Sequence, residues 1–236
     1  MAGVSAVVLD WYGTLAVPHG DDFWARLDEI VVDAGGRPDP DALAEWELEH
    51  PAEHRRHSVD EPGYRAWQRR RLDHVLARCG VAAPQRTRVL DDIETVRYTR
   101  LFSTFPDVPA ALARLRERGL VVGVCSNWDW DLDRHLDHNG ITGLLDFVVC
   151  SASVGYRKPH PAIFEEVVGH AGVPAGEILF VGDSWGDDVA GAAAAGLVPV
   201  HIARSGPCAR DDHGGVPCVP DLAALARLPA LVGSAG

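Results

Sequence analysis

The chain has 236 residues, of which 47% are hydrophobic and 24% charged, and its formal net charge at pH 7 is −12. This composition is typical of a soluble globular protein, and the acidic charge argues against binding to nucleic acids or anionic membranes. No apolar stretch reaches the roughly 20 residues of a membrane span, and no basic segment followed by an apolar one marks a secretory signal. The five cysteines are scattered and odd in number, which favours reduced thiols. We therefore expect a cytoplasmic protein.

The first predicted element is a strand over residues 4–9, an apolar and β-branched run that stops at Asp10. Such a run is typical of a strand buried on both faces of a parallel sheet. Ligands bind at the carboxyl ends of such strands, so the Asp10 carboxylate is expected to face a crevice. Taken alone, the pattern would equally fit an aspartate that caps the next turn.

The segment that follows is predicted to be helical throughout. Four amphipathic stretches cover residues 21–34, 39–50, 61–79 and 85–101. After them, helices alternate with four further strands, predicted at Leu120–Cys125, Phe147–Cys150, Ile178–Val181 and Val198–Ile202. Alternation of this kind predicts an α/β fold, a doubly wound parallel-sheet (Rossmann-like) core. The core is assigned to residues 1–15 and 103–236, a small all-helical cap domain to residues 16–102, and a loop to the Gly/Pro-rich residues 205–220.

Polar residues follow the predicted strands at the points where they end. Asp10 follows the first strand, Ser126 the second and Asp183 the fourth, while Lys158 comes shortly after the third. Because the carboxyl ends of parallel strands meet at one edge of the sheet, these four side chains are expected to converge. Lys158 is the only lysine among 22 basic residues, which suggests a position that needs a compact point charge.

The order of these segments resembles that of the haloacid dehalogenase superfamily, hydrolases with an aspartate nucleophile. The motifs are Asp10-Trp-Tyr-Gly-Thr14, Ser126-Asn127, Lys158-Pro-His-Pro and Gly182-Asp183-Ser-Trp-Gly-Asp187-Asp188. The helical insert lies between the first and second motifs, where many members of the superfamily carry a helical cap. The resemblance covers essentially the whole chain and implies a hydrolase.

Each motif residue also suits the chemistry by its own properties. A carboxylate at Asp10 can attack phosphorus or carbon and then be released by water, which splits one difficult step into two. The hydroxyls of Thr14 and Ser126 are suited to hold the oxygens of the group being transferred. Lys158 offers a fixed positive charge to the nucleophile and to the developing charge. These four residues, with Tyr12, form the predicted catalytic set.

The acidic residues of the fourth motif predict a cation. Asp183 with Asp187 and Asp188 would repel Asp10 unless a cation lay between them, and hard carboxylate oxygens beside a phosphate suit Mg²⁺. The predicted ligands are Asp10, Asp183, Asp187 and, by the resemblance, the backbone carbonyl of Tyr12. Whether Asp187 or Asp188 is the second carboxylate stays open, and one of the two is expected to cap the following helix.

The first motif departs from the pattern of the related phosphatases. Most of them carry a second aspartate, which protonates the leaving group, where this chain has Tyr12. The Asp-x-Tyr-Gly-Thr pattern also resembles metal-independent 2-haloacid dehalogenases, which expel halide and need no such proton. Those enzymes have Ser/Asn-type residues in the fourth motif, whereas this chain has three aspartates. The sequence therefore favours a Mg²⁺-dependent phosphatase that acts on a small phosphorylated metabolite. The alternatives are a dehalogenase-like hydrolase and a catalytically weak binding scaffold.

Three further residues are predicted to contact the substrate: Asn127, Trp128 and Trp185. Each lies in or directly beside a motif. For the two tryptophans, packing between the cap and the core explains their positions equally well.

Overall fold

The computed structural model describes residues 3–20, 22–48, 51–206 and 214–228. The chain divides into two compact units, one formed by Met1–Val17 with Ser103–Gly236 and the other by Pro18–Phe102. The strands are β1 (Ala6–Leu9), β2 (Ala16–Pro18), β3 (Phe102–Thr104), β4 (Val121–Ser126), β5 (Phe147–Cys150), β6 (Ile178–Gly182), β7 (Val198–Ile202) and β8 (Cys218–Val219). The helices are α1 (Phe23–Asp33), α2 (Pro40–Leu48), α3 (Glu61–Arg78), α4 (Ala83–Thr99), α5 (Val108–Glu117), α6 (Leu132–His138), α7 (Ser151–Val154), α8 (Pro161–Ala171), α9 (Gly191–Ala194) and α10 (Leu222–Leu225).

The first unit is built on one parallel sheet. Within the described residues its strand order is β5-β4-β1-β6-β7-β8, and every neighbouring pair is parallel. Leu9 at the end of β1 lies in register with Val124 of β4 and Val181 of β6. The segments that follow these three central strands therefore leave the sheet at the same level, and the predicted doubly wound parallel core is confirmed.

β1 is buried on both faces, as its continuous apolar sequence predicts. Ala6 and Val8 belong to a core cluster with residues of α8, and Val7 and Leu9, which point to the opposite face by alternation, are fully buried as well. Burial of apolar surface stabilises a fold by about 25 cal/mol per Å² removed from water, so packing on both faces holds this strand in place. The residue directly after it is held in one place for the same reason.

The second unit is an all-helical bundle formed by α1 to α4. Its core joins buried apolar side chains from all four helices, among them Leu27, Leu43, Leu76 and Ile93. The helical spacing of apolar residues in the sequence therefore corresponds to an apolar core within this unit. No helix among the described residues has the combination of length and apolar character needed to cross a lipid bilayer.

Several local expectations were wrong. Short strands β2 and β3 pair with each other where the chain passes between the units, and β8 lies within the predicted loop 205–220, part of which falls outside the described residues. Strands of two or three residues carry too little alternation to be recognised. The helix that follows the fourth motif begins as a π-helical turn over Trp185–Ala190.

The cysteines also differ from expectation. Cys79, Cys125 and Cys150 are free thiols, but Cys218 is disulfide-bonded, so the prediction of reduced thiols is wrong at that residue. The scatter of cysteines along a sequence does not say which of them the fold brings together. Cys208 lies outside the described residues.

Candidate active site

Asp10 lies at the end of β1 with its side chain almost completely buried. Its backbone N–H donates to the carbonyl of Val181 at 2.9 Å, so the neighbouring strand β6 fixes its position. The loop after it closes on itself, since the N–H groups of Leu15 and Ala16 both donate to the carbonyl of Trp11, at 2.8 and 2.9 Å. Asp10 is therefore a buried carboxylate on a rigid element.

Gly13 makes this loop possible for two reasons. Its φ of +80° lies in the left-handed region that only glycine adopts without strain. A Cβ at this position would also collide with the carboxylate of Asp183. The glycine of the first motif thus allows the loop after Asp10 to lie directly against the fourth motif.

Lys158 joins the first and fourth motifs through its ammonium group. Nζ donates to Oδ1 of Asp10 at 2.6 Å, to Oδ1 of Asp188 at 2.6 Å and to the carbonyl of Cys125 at 3.0 Å. All three hydrogens of the ammonium are thereby used, and the side chain is buried. Burial by itself lowers the pKa of Lys158, but the adjacent carboxylates outweigh it and raise the pKa above its ordinary value. Lys158 is therefore a permanently charged centre of the site.

Ser126 ends β4 and adds a second hydrogen bond to the Asp10 carboxylate. Its Oγ donates to Oδ1 of Asp10 at 2.9 Å, the same oxygen that accepts from Lys158. Among the described residues, Oδ2 of Asp10 receives no hydrogen bond. The carboxylate is thus held by one oxygen, and the other is the candidate for nucleophilic attack.

Asn127 supports Lys158 through its backbone. The N–H of Lys158 donates to Oδ1 of Asn127 at 2.7 Å, and Nδ2 of Asn127 donates to the carbonyl of Lys158 at 3.0 Å. This reciprocal pair ties the end of β4 to the segment before α8. Asn127 was predicted to contact substrate, and the contacts that the structure gives it position Lys158; its contact with substrate stays a prediction.

The structure distinguishes the two consecutive aspartates of the fourth motif. Asp188 is buried; its Oδ1 accepts from Lys158, and its Oδ2 accepts from the N–H of Ser184 at 3.0 Å. Asp187 makes one long contact, 3.4 Å from Nδ2 of Asn127. The expectation that one aspartate caps the following helix is wrong, because Ser184 does so by accepting from the N–H of Asp187 at 3.2 Å.

Three carboxylates form a group that could hold a cation. One oxygen each from Asp10, Asp183 and Asp188 can be chosen such that all three lie within 4.8 Å of one another. Asp187, the fourth-motif ligand expected beside Asp183, is not in this group and stays a prediction. A single ammonium, Lys158, faces these carboxylates directly, and this excess of hard oxygen donors fits Mg²⁺. Because Gly13 has no Cβ, the loop after Asp10 can lie directly against the carboxylate of Asp183.

Asp183 has a pKa that reflects this crowding. Although the residue is exposed as a whole, its carboxylate lies against Gly13, and partial withdrawal from water, followed by the charge of Asp10, raises its pKa to about 6. Burial also raises the pKa of Asp188, against the opposing effect of Lys158. Burial and mutual repulsion thus disfavour the ionised forms of these carboxyl groups, and a bound cation would stabilise those forms.

The remaining predicted residues lie around this group. Thr14 is fully buried, and its Oγ1 donates to Oδ1 of Asp183 at 3.3 Å. The side chain of Tyr12 is 48% exposed. Trp128 donates from Nε1 to Oδ1 of Asp131 at 3.1 Å, and the ring of Trp185 lies edge-on against the ring of His201. The tryptophans thus make packing contacts within the core unit, and their contact with substrate stays a prediction.

The family of the chain follows from these motifs and from comparison with known proteins. The family model for haloacid dehalogenase-like hydrolases matches residues 4–196. The chain belongs to this family. Its members include both phosphatases and dehalogenases, and the chain is similar to both.

Three relatives illustrate this double similarity. The chain is 33% identical over 141 residues to the glyceraldehyde 3-phosphate phosphatase of Methanopyrus kandleri, with 57% of this chain and 59% of that protein covered. It is 28% identical over 255 residues to haloacetate dehalogenase H-2 of Moraxella sp. (strain B), with 98% and 100% covered. The solved structure of an L-2-haloacid dehalogenase matches with a TM-score of 0.64 and 25% identity, over 95% of this chain and 97% of that one. The similarity to the phosphatase therefore spans less than two thirds of that relative, whereas the dehalogenases match over nearly their whole length.

Sequence reasoning missed the structural roles of two polar residues at this edge of the sheet. Ser184 holds both consecutive aspartates, and Arg204, just beyond β7, contacts the backbone of Thr14. Arg204 follows a predicted strand, so the argument that singled out Asp10 could have found it. Ser184 also had a signal, because a serine three residues before an acidic residue is typical of a helix N-cap.

Proposed function

We propose that the protein is a magnesium-dependent phosphohydrolase that transfers the phosphoryl group of a small metabolite to Asp10 and then to water. The observation that supports this most is the group of three carboxylates, Asp10, Asp183 and Asp188, beside one buried ammonium. A reaction that expels only halide does not require three clustered carboxylates. The phosphatase among the relatives is consistent with this choice.

In the proposed mechanism Asp10 is the nucleophile. Its Oδ2 attacks phosphorus while Ser126 and Lys158 hold Oδ1, the bond from phosphorus to the leaving oxygen breaks, and an aspartyl-phosphate forms. Lys158 keeps Asp10 ionised and offsets charge that develops during transfer. Water then attacks phosphorus, the bond from phosphorus to Oδ2 of Asp10 breaks, and the carboxylate is restored as inorganic phosphate leaves with the oxygen of the water, whose protons pass to phosphate and solvent.

Mg²⁺ would be held by Asp10 and Asp183, with Asp188 as the third carboxylate of the group. The ion would supply positive charge to the phosphoryl oxygens in addition to that of Lys158. Asp188 has a second task, because its Oδ1 and Oδ2 are engaged by Lys158 and Ser184. It therefore fixes the lysine that orients the nucleophile.

Tyr12 limits the substrates that this site would hydrolyse well. The residue stands where related phosphatases have their acid, and general acid catalysis contributes about 10²- to 10⁴-fold. Substrates whose leaving group needs no proton, such as acyl phosphates or p-nitrophenyl phosphate, are therefore expected to react faster than alkyl phosphates.

The test is phosphate release from p-nitrophenyl phosphate and acetyl phosphate, with Mg²⁺ and with EDTA. Wild type should turn over only with Mg²⁺, and Asp10→Asn should be inactive. Asp133→Asn, which changes an exposed aspartate of α6, is the matched control and should keep wild-type activity. Absence of turnover on both esters with Mg²⁺ would refute the proposal.

A second candidate function is dehalogenation of a 2-haloacid through an ester on Asp10. Two observations favour it: the absence of an acid at Tyr12, and the match to haloacetate dehalogenase H-2 over almost the whole of both chains. Halide release from chloroacetate or 2-chloropropionate in the presence of EDTA would identify this activity. If neither phosphate nor halide is released, the site would be a binding scaffold.

A further inference from the structure

Arg204 is a buried arginine that belongs to none of the four motifs. It lies two residues beyond β7, and its side chain is only 8% exposed. Its Nε and Nη2 donate to the carbonyl of Thr14 at 3.0 and 2.8 Å. Its Nη1 donates to both carboxylate oxygens of Asp107 at 2.8 and 2.9 Å, and its guanidinium carbon lies 4.2 Å from the centre of the Phe105 ring.

This arrangement uses the planar shape of the guanidinium. One edge of the group grips a carbonyl with two nitrogens, while a third nitrogen binds a carboxylate and the face stacks on an aromatic ring. A lysine ammonium at the same place could not make these contacts together, because its donors do not form a planar fork. The geometry is therefore specific for arginine.

The acceptors of Arg204 are themselves fixed. Oδ2 of Asp107 also accepts from the N–H of Leu222 at 2.8 Å, and the N–H of Phe105 donates to the carbonyl of Leu15 at 3.0 Å. Arg204 thus fastens the loop after Asp10 to the segment before α5, which α10 holds from the other side. All of these residues belong to the core unit.

The contacts of Thr14 connect this anchor to the acidic group. The carbonyl of Thr14 accepts from Arg204, and the hydroxyl of the same residue donates to Oδ1 of Asp183 at 3.3 Å. Any displacement of the Thr14 backbone would move this hydroxyl and the carboxylate it holds.

We propose that Arg204 is a positioning residue for the reaction, acting through Thr14 on the carboxylate of Asp183. Its effect on catalysis rests on the proposed function, but its effect on the loop does not. Asp107 contributes to the same positioning, because it orients the guanidinium of Arg204.

The first test compares Arg204→Lys with the matched control Arg116→Lys. Arg116 donates to Asp146 in a more exposed ion pair of the same unit. Hydrogen–deuterium exchange of the peptide covering residues 11–16 should become at least about tenfold faster in Arg204→Lys, since loss of the anchor favours local opening, and should not change in the control. Equal exchange in wild type and Arg204→Lys would overturn the proposal whatever the reaction is.

The second test is a double-mutant cycle with Thr14→Val. Arg204→Lys alone should lower kcat for p-nitrophenyl phosphate by about 10- to 100-fold, as small displacements in an active site do, and should weaken Mg²⁺ binding measured by calorimetry. In the Thr14→Val background the same substitution should cost much less, because the hydroxyl it positions is gone. Additive losses would show a general structural role and would overturn the proposed action through Thr14.

Two further outcomes are separable. If Arg204→Lys fails to fold, Asp107→Asn weakens the same anchor without changing Arg204 or Thr14, and it should accelerate exchange in the same peptide. If wild type itself hydrolyses no phosphate ester, the proposed function fails, and the cycle is measured on Mg²⁺ affinity or on halide release. The exchange comparison then still supports or refutes the anchor.

Discussion

The ammonium of Lys158 lies 2.6 Å from Oδ1 of Asp10, and both groups are almost completely buried. This contact, with that of Ser126, holds one oxygen of the Asp10 carboxylate and leaves Oδ2 without a hydrogen bond among the described residues. It also makes the two residues interdependent, because neither charge is stable there without the other. The chemistry and the stability of the site therefore have the same origin.

Removal of Lys158 should destabilise the fold as well as abolish activity. Lys158→Gln leaves Asp10 and Asp188 buried without their counter-ion, and loss of one partner of such a pair typically costs about 3–5 kcal/mol. Urea unfolding in EDTA should show a loss of that size. Adding Asp188→Asn to Lys158→Gln should recover part of the stability, since one uncompensated charge is removed. Unchanged stability of the single variant would contradict the coupling.

The single lysine of the chain permits a direct measurement of its charge. In protein labelled with ¹⁵N at the lysine side chain, one Nζ signal is expected, because Lys158 is the only lysine. The carboxylates raise its pKa above the ordinary value of 10.5, so the signal should keep its ammonium shift at a pH where lysine in the urea-unfolded chain has half titrated. The stability from this charge is present below the ordinary pKa and is lost only as the pH rises through the raised one. Loss of the ammonium signal below pH 10.5 would contradict this expectation.

The two consecutive aspartates should differ strongly in their contribution. Asp188→Asn removes the charge that faces Lys158, and we expect activity or Mg²⁺ affinity to fall by about 10- to 100-fold, as for groups that orient a metal site. Asp187→Asn keeps the shape of a side chain whose hydrogen bond to Asn127 is long, and it removes a half-buried charge near Lys158 and Arg157. This should cost less than about fivefold, since a partly exposed charge contributes little to stability or affinity. Each variant serves as the control for the other, in kinetics with p-nitrophenyl phosphate. The reverse order would restore Asp187 as the more important residue.

The ends of the central strands were predictable from the sequence because the buried strands are marked by continuous apolar runs. Asp10, Ser126 and Asp183 follow such runs, and the parallel register brings them to one edge. The choice between Asp187 and Asp188 was not predictable, since a π-helical turn capped by Ser184 determines which of two neighbours points inward. Arg204 also follows a predicted strand, but its partner Asp107 lies 97 positions earlier, so no local pattern indicated what the arginine contacts.

Stability in EDTA should depend on the ionisation of Asp183. The pKa of this carboxyl is raised from 3.8 to about 6 in the folded chain, so the folded state holds the proton more tightly than the unfolded state. The contribution is therefore favourable below the ordinary pKa and is lost as the pH rises through about 6. The melting temperature of wild type relative to Asp183→Asn should fall between about pH 4.5 and 7.

Added Mg²⁺ should have the opposite pH dependence in the same comparison. The ion binds ionised carboxylates, so its stabilisation of wild type should grow as the pH rises and should be much smaller in Asp183→Asn. A Mg²⁺ shift that is absent at all pH values, or is equal in the two proteins, would argue against a cation at this carboxylate group.

Tyr12→Asp should supply the acid that the site lacks. The Tyr12 side chain is 48% exposed, so the substitution should not disturb the core. Phenyl phosphate and p-nitrophenyl phosphate are similar in size, but phenolate leaves less readily and gains more from protonation. In Tyr12→Asp the preference for p-nitrophenyl phosphate should therefore fall by about tenfold or more, within the range of general acid catalysis. Tyr12→Phe, the control, should keep the wild-type preference. If Tyr12→Asp leaves the preference unchanged, the proton of the leaving group comes from another residue, and the limit on substrates derived from Tyr12 does not hold.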